Sequence, residues 1–286
     1  MRIDSHQHYW TIERGDYGWI TPEMPKLYRD YLPEQLAGHL SKHGIAGTIA
    51  VQAAPTVEET EYLFALADRT DSILGVVGWL DLFNPSHRNH YERYKQHPKF
   101  VGFRMMIQEM PEASKVLKQA VVGALREYAR EDVPVDLLLK SDQLESLNLL
   151  LNEAPGLRGV IDHIAKPPIA SGSFDRWAEQ MERAAAHPNI YCKLSGLVTE
   201  ADHLHWKPEQ FQPYIRHVLA LFGPHRVMFG SDWPVCLLAA EYDEVVDVLE
   251  RAIPSAWGEQ ERAALYGRNA AKFYKLPAMM QLFPNK

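Results

Sequence analysis

The feature that most constrains this chain is a series of short apolar, β-prone runs alternating with helix-like segments from one end to the other. The runs cover 2–6, 47–52, 73–79, 100–104, 133–139, 157–163, 190–195 and 227–232. Between them, 33–43, 57–69, 90–97, 113–130, 143–152, 174–186 and 211–222 read as helices, and 259–274 as a last helix. Pro33 opens the first of these segments, a position where proline suits a helix. In the second, Tyr62, Leu63, Leu66 and Ala67 make an apolar stripe at helical spacing. The runs seldom alternate polar with apolar, as expected for strands buried on both faces. Strands separated by helices pair in parallel. Eight such units within 286 residues fit a closed α/β (β/α)8 TIM barrel, for which about 250 residues is usual.

Composition supports one domain spanning 1–286, with no linker or low-complexity stretch. Hydrophobic residues make up 46% and charged residues 23%, ordinary values for a globular protein. The net charge is −7, and the 30 Lys and Arg are scattered among 37 Asp and Glu. With no basic run to follow a phosphate backbone, nucleic acid is not an expected partner. No apolar run approaches the ~18–20 residues of a membrane span, so no membrane association is expected. The sequence starts with charged residues and histidines where a secretory leader needs an apolar stretch. Its 2 cysteines, Cys192 and Cys236, do not make a disulfide framework. A reducing, cytoplasmic location is expected; assembly as a homo-oligomer is left open.

In such a barrel, the polar residues at the C-terminal strand ends meet at one mouth. Here those are His6 and His8, Gln52, Trp79 and Asp81, Arg104, Asp136, His163 with Lys166, Lys193 and Ser195, and Ser231 with Asp232. Most of the 13 histidines lie in polar stretches or beside proline and read as surface groups, whereas His6, His8 and His163 each end an apolar run. His6 and His8, two apart on a strand, point to the same side. They suit a divalent metal such as zinc, or a hydrogen-bonded pair with no metal. Asp232 is either a helix N-cap or a group that binds a metal and takes a proton from water. His163 reads as a satisfied near-core residue or a ligand, and Asp162 as structural. Arg104 at a buried strand end needs a partner, either Asp136 or Glu109, or a substrate oxygen. Lys193 poses the same question. Two insertions follow strand ends, 10–30 and 198–208, where lids or specificity loops belong.

Together, Asp4-Ser5-His6-Gln7-His8, Gly102-Phe103-Arg104, Asp162-His163-Ile164-Ala165-Lys166-Pro167, Cys192-Lys193-Leu194-Ser195-Gly196-Leu197 and Phe229-Gly230-Ser231-Asp232-Trp233-Pro234-Val235 resemble the amidohydrolase superfamily. The likeness is to its amidohydrolase 2 branch, sugar-lactone hydrolases of the L-fuconolactonase and L-rhamnonolactonase type, and runs from Arg2 to about Tyr274. It implies hydrolysis of an aldonolactone to its acid in sugar catabolism, with Asp232 as base or metal ligand. The expected catalytic set is Asp232, His163, Lys193 and Arg104. The expected substrate contacts are Gln52, Trp79, Arg104, Lys166 and Trp233. The expected metal ligands are His6, His8 and Asp232. Arg104 stands where binuclear members carry a carboxylated lysine, and the fifth run offers no histidine, so one divalent metal, zinc first, or none is expected. Two other readings compete: a metal-dependent decarboxylase of an aromatic or unsaturated acid, and a non-catalytic barrel that binds a sugar acid.

Overall fold

The structure, a computed structural model, describes residues 1–276; the end of the expected 1–286 domain, 277–286, lies outside the described residues. An 8-stranded sheet runs in chain order, with every neighbouring pair parallel. Its strands are β1 (Arg2–Gln7), β2 (Ile45–Val51), β3 (Ile73–Trp79), β4 (Phe100–Met106), β5 (Val135–Leu138), β6 (Gly159–Ile161), β7 (Ile190–Leu194) and β8 (Val227–Phe229). The ring closes just past β8. There the Asp232 amide donates to His6 O at 2.8 Å and the His8 amide to Trp233 O at 2.8 Å. The functional ends of the first and last strands are thereby joined by backbone.

Burial on both faces explains why the strand sequences read as continuous apolar runs. Ile49, Val51, Val77, Val160 and Met228 fill the barrel, while Ala50, Val76, Phe103 and Leu137 pack outward against the helices. The interior is filled by pairing small with large. A Cβ on Gly47 would lie 2.5 Å from Leu74, so the glycine leaves room for that side chain.

The outer helices are α1 (Pro33–Lys42), α2 (Val57–Asp68), α3 (His87–Tyr94), α4 (Gln119–Arg130), α5 (Leu144–Glu153), α6 (Asp175–Ala185), α7 (Gln212–Phe222) and α8 (Tyr242–Ala252). Thr56 caps α2, its hydroxyl accepting from the Glu59 amide at 3.1 Å. The segment 113–130, expected as one helix, is a 3-10 turn over Ala113–Leu117 followed by α4. α8 completes the ring and went unread in the sequence. The last helix, expected as continuous over 259–274, is α9 (Glu259–Ala263), a π turn over Ala264–Arg268 and α10 (Asn269–Phe273). Ala270, Ala271, Phe273, Tyr274 and Leu276 pack against the barrel interior, so this segment plugs the barrel. Among the described residues, no helix is long and apolar enough to cross a membrane.

The expected runs 157–163 and 227–232 are longer than the strands that form. The backbone leaves the extended region at His163 (φ 53°) and Asp232 (φ 58°), which turns these side chains off the strand axis.

Candidate active site

His6 is the last residue but one of β1 and His8 lies just beyond the strand, and their Nε2 atoms stand 3.2 Å apart. Asp232 Oδ1 lies 3.8 Å from His6 Nε2 and 3.4 Å from His8 Nε2. A tetrahedral ion with bonds of about 2.0–2.1 Å sets ligand atoms about 3.3 Å apart, so this triangle has the size that zinc requires. Among the described residues, His6 with Asp162 and His163 makes a second buried set of possible ligands sharing the same ring.

His163 starts an unusual turn. His163, Ile164, Ala165 and Lys166 all have positive φ (53°, 47°, 57° and 47°). Each such non-glycine residue costs roughly 1–2 kcal/mol, a strain that persists only where the surroundings enforce it. Here the Trp177 indole donates to Ile164 O at 2.8 Å and the Lys166 amide to His163 O at 2.8 Å. The turn aims His163 inward, with Nδ1 2.9 Å from Ser195 Oγ and Nε2 3.9 Å from Asp232 Oδ1. Gly196 makes room for it: a Cβ there would meet His163 Nδ1 at 2.5 Å.

Burial, with Lys193 and His8 as neighbours, holds His6 well below its ordinary pKa, and burial does the same to His163, so both rings are neutral at pH 7. Burial pushes the Asp232 carboxyl up, yet the group is held below the usual carboxylate value, with the Lys166 cation among the neighbours that lower it. A neutral imidazole pair beside an ionised carboxylate is a chemically competent combination for accepting a proton.

A cavity of about 160 Å³ opens over this cluster, lined by His8, Trp19, Ala53, Arg104, Met106, Gln108, Glu109, Leu138, His163, Lys166, Asp232 and Val235. Of the residues expected from sequence, His8, Arg104, His163, Lys166 and Asp232 therefore meet at one mouth, with His6 directly behind. Arg104 pairs with neither Asp136 nor Glu109. Its Nη2 donates to Gln52 O, and Nη1 lies 3.7 Å from Asp162 Oδ2. Gln52 sits behind Arg104 rather than on the cavity wall.

Three expected contacts fall elsewhere. Lys193 is fully buried beneath His6, bonded to Asp136 and to His6 Nδ1, and does not reach the cavity. Strand residues alternate between the interior and the helix layer; Lys193 falls on the inner face, where His6 and Asp136 close over it. Trp233 is buried against Tyr9 and Tyr31, because the backbone that closes the barrel turns the indole away from the mouth. Trp79 lines an adjoining, more apolar cavity together with Leu82, Phe83 and Met110.

Sequence reasoning missed the wall that faces this cluster. Trp19 comes from the 10–30 insertion, its indole donating to Ala53 O at 2.8 Å. The Ala53 amide in turn donates to Glu59 at 2.9 Å, and Tyr17 donates to the same carboxylate at 2.6 Å. The aromatic richness of that insertion was the available signal, but no periodicity singled out Trp19. From the other insertion, Glu200 lies 3.7 Å from Lys166.

The amidohydrolase family matches residues 3–276. The chain is 37% identical over 279 residues to an L-fucono-1,5-lactonase of Burkholderia ambifaria, covering 96% of each chain. It is 38% identical over 290 residues to an L-fucono-1,5-lactonase of Burkholderia multivorans, covering 97% of each. A crystal structure of a zinc-bound amidohydrolase from Burkholderia multivorans superimposes with a TM-score of 0.91 at 38% identity, over 97% of this chain and 100% of that one. With its strand-end histidines and aspartate on an eight-stranded parallel barrel, and a match over nearly all its length, the chain belongs to the amidohydrolase family.

Proposed function

We propose that this chain hydrolyses a sugar aldonolactone of the L-fucono-, galactono- or rhamnonolactone type to the aldonic acid, a step of sugar catabolism. The observation that carries the reading is the Asp232 carboxylate lining the cavity beside His8 and His163, in a chain alike over nearly its whole length to two L-fucono-1,5-lactonases. Lactone opening needs a base for water, cations for the developing oxyanion and donors for sugar hydroxyls. Asp232, the pair Arg104 and Lys166, and a polar wall with one indole face supply these.

In this mechanism Asp232 takes a proton from water as the water oxygen attacks the lactone carbonyl. The neutral His163 ring orients that water. Arg104 and Lys166 face the carbonyl oxygen as negative charge collects on it. The bond from carbonyl carbon to ring oxygen then breaks, and Asp232 returns its proton to the departing alkoxide. Gln52 acts through Arg104, fixing its guanidinium, and Trp19 covers the sugar ring. His6, His8 and Asp232 would hold a divalent ion, zinc being the best fit to their spacing. Such an ion polarises a carbonyl or lowers the pKa of water.

The test is Asp232→Asn, assayed with a pH indicator on a panel of aldonolactones and for CO₂ release on aromatic acids. Loss of a positioned base predicts a fall in lactonase kcat of about 10²–10⁴ with the fold intact. Near-full lactonase activity in that variant, or CO₂ release by the wild type without lactone opening, would refute the reading.

A further inference from the structure

Lys193 does not face the cavity, and its position has a consequence for His6. The ammonium Nζ stands 3.0 Å from His6 Nδ1, donates also to Asp136 Oδ2, and lies 3.1 Å from Asp162 Oδ1. An ammonium has donors and no acceptor. His6 Nδ1 is therefore the acceptor, and the neutral ring carries its proton on Nε2. The next ring agrees. His8 Nδ1 lies 2.7 Å from Val51 O, a carbonyl that only accepts, so when the ring holds one proton that proton sits on Nδ1. Its Nε2 is then an acceptor, 3.2 Å from His6 Nε2. In this arrangement His6 has no lone pair on Nε2 to give a metal.

A second observation points the other way. Asp162 is fully buried: its Oδ1 stands 3.1 Å from the Lys193 ammonium and 3.3 Å from His6 Nδ1 with neither aligned to donate to it, and its Oδ2 has no hydrogen-bond partner. A buried acceptor without a donor is costly. Moving the His6 proton from Nε2 to Nδ1 would give Asp162 that donor and open Nε2. The ring neither gains nor loses a proton overall. A carboxylate bonded to the far nitrogen is the usual support of a metal-ligating histidine.

We propose that Lys193 and Asp162 compete for His6 Nδ1: the ring bonded to Lys193 is closed to metal, and the ring bonded to Asp162 is open to it. Both are positioning residues, acting on the site through His6. The metal half of this inference rests on the reading of His6, His8 and Asp232 as ligands; the tautomer half does not. The site so built holds its base and cations in place without metal and binds zinc at the expense of one buried hydrogen bond.

The experiment reads the tautomer directly. Protein with ¹⁵N-labelled histidine, stripped of metal, is examined by long-range ¹H–¹⁵N NMR, with His6 assigned by its loss in His6→Gln. The expected result is a His6 protonated on Nε2, converting to Nδ1 protonation on addition of zinc. A ring already protonated on Nδ1 in the metal-free protein overturns the proposal. Zinc affinity, measured by competition with a chromophoric chelator, supplies the second readout. Asp162→Asn should weaken binding by about 10–100-fold, the usual effect of removing such a support. The double variant Asp136→Asn with Lys193→Met, which removes both members of the buried ion pair, should tighten it about tenfold. Unchanged or weaker binding in the folded double variant overturns the competition. Zinc uptake that survives His8→Gln would overturn the ligand set and the metal half with it, while the metal-free NMR still decides the tautomer.

Discussion

Gly196 offers a sharp test of how the barrel positions His163. Its φ is +61°, and an added Cβ would lie 2.5 Å from His163 Nδ1, 2.7 Å from His163 Cγ and 3.0 Å from Asp232 Oδ2. An alanine in the left-handed region costs roughly 1–2 kcal/mol. Forcing a methyl into a filled site adds about 1–3 kcal/mol. The sum, about 2–5 kcal/mol, corresponds to a Tm drop of roughly 4–10 °C at about 2 °C per kcal/mol. The larger effect falls on catalysis. Relieving the contact moves the imidazole by on the order of 1 Å, and a misplacement of that size costs about a hundredfold. Gly196→Ala should therefore lose about 10² in kcat/KM on whichever aldonolactone the wild type opens fastest, while remaining folded. Gly172→Ala is the matched control. Its φ is +70° and nothing lies within 4 Å of the added carbon, so it carries the backbone cost alone and should keep its activity. Calorimetric unfolding and a continuous pH-indicator assay give both numbers. A folded Gly196→Ala enzyme with more than half the wild-type kcat/KM would show that the glycine does not make room for His163.

Glu59 gives a pH dependence. Burial is the main cause that raises its pKa from 4.5 to about 7, against the donors Tyr17 and the Ala53 amide. Between those pH values the unfolded chain gives up a proton that the folded one keeps, so the contribution is full below pH 4.5 and lost by about pH 7. At 1.36 kcal/mol per unit this is on the order of 3 kcal/mol. The stability advantage of wild type over Glu59→Gln should shrink by that amount from pH 4.5 to 7 in urea titrations; a constant difference would count against it. Trp19→Ala removes the indole wall and should raise KM about tenfold with kcat changed less than threefold, whereas a fall in kcat alone would place Trp19 in the chemistry. Arg104→Met should lower kcat/KM by about 10²–10³, the effect of deleting one oxyanion donor. If only Tm falls, Arg104 serves the Asp162 pairing and not the substrate.

Much of the architecture was legible because a barrel strand is apolar on both faces and the interrupting helices carry their own period. Val76 and Val77 read alike in sequence although one faces the helices and the other the barrel interior. The strand ends were overextended wherever the functional turn begins. Nothing in the letters of 163–166 announces successive left-handed residues, since none is glycine; the turn exists because Trp177 and the packing around it hold it. α8 escaped because its acidic, valine-rich stretch follows the closing strand with no further strand to bracket it.

The convergence of residues at the mouth was legible for the opposite reason: polar residues that end apolar runs have few other places to go. His6, His8, His163, Arg104, Lys166 and Asp232 do converge. What spacing cannot give is depth along the barrel axis. Lys193 and Arg104 both read as cations on barrel strands, yet Lys193 lies below the imidazole layer and Arg104 on the cavity wall. The height difference separates their chemistry. A cation below His6 cannot touch a carbonyl oxygen above it and acts only on the ring between them. In the proposed mechanism the oxyanion then falls to Arg104 and Lys166, and in the proposed competition Lys193 and Asp162 set which nitrogen of His6 is free. Tyr274 extends that column to the barrel's plug, donating to Asp136 Oδ1 at 2.8 Å. The helix that closes the barrel is thus hydrogen-bonded, through Asp136 and Lys193, to the ring at the base of the active site.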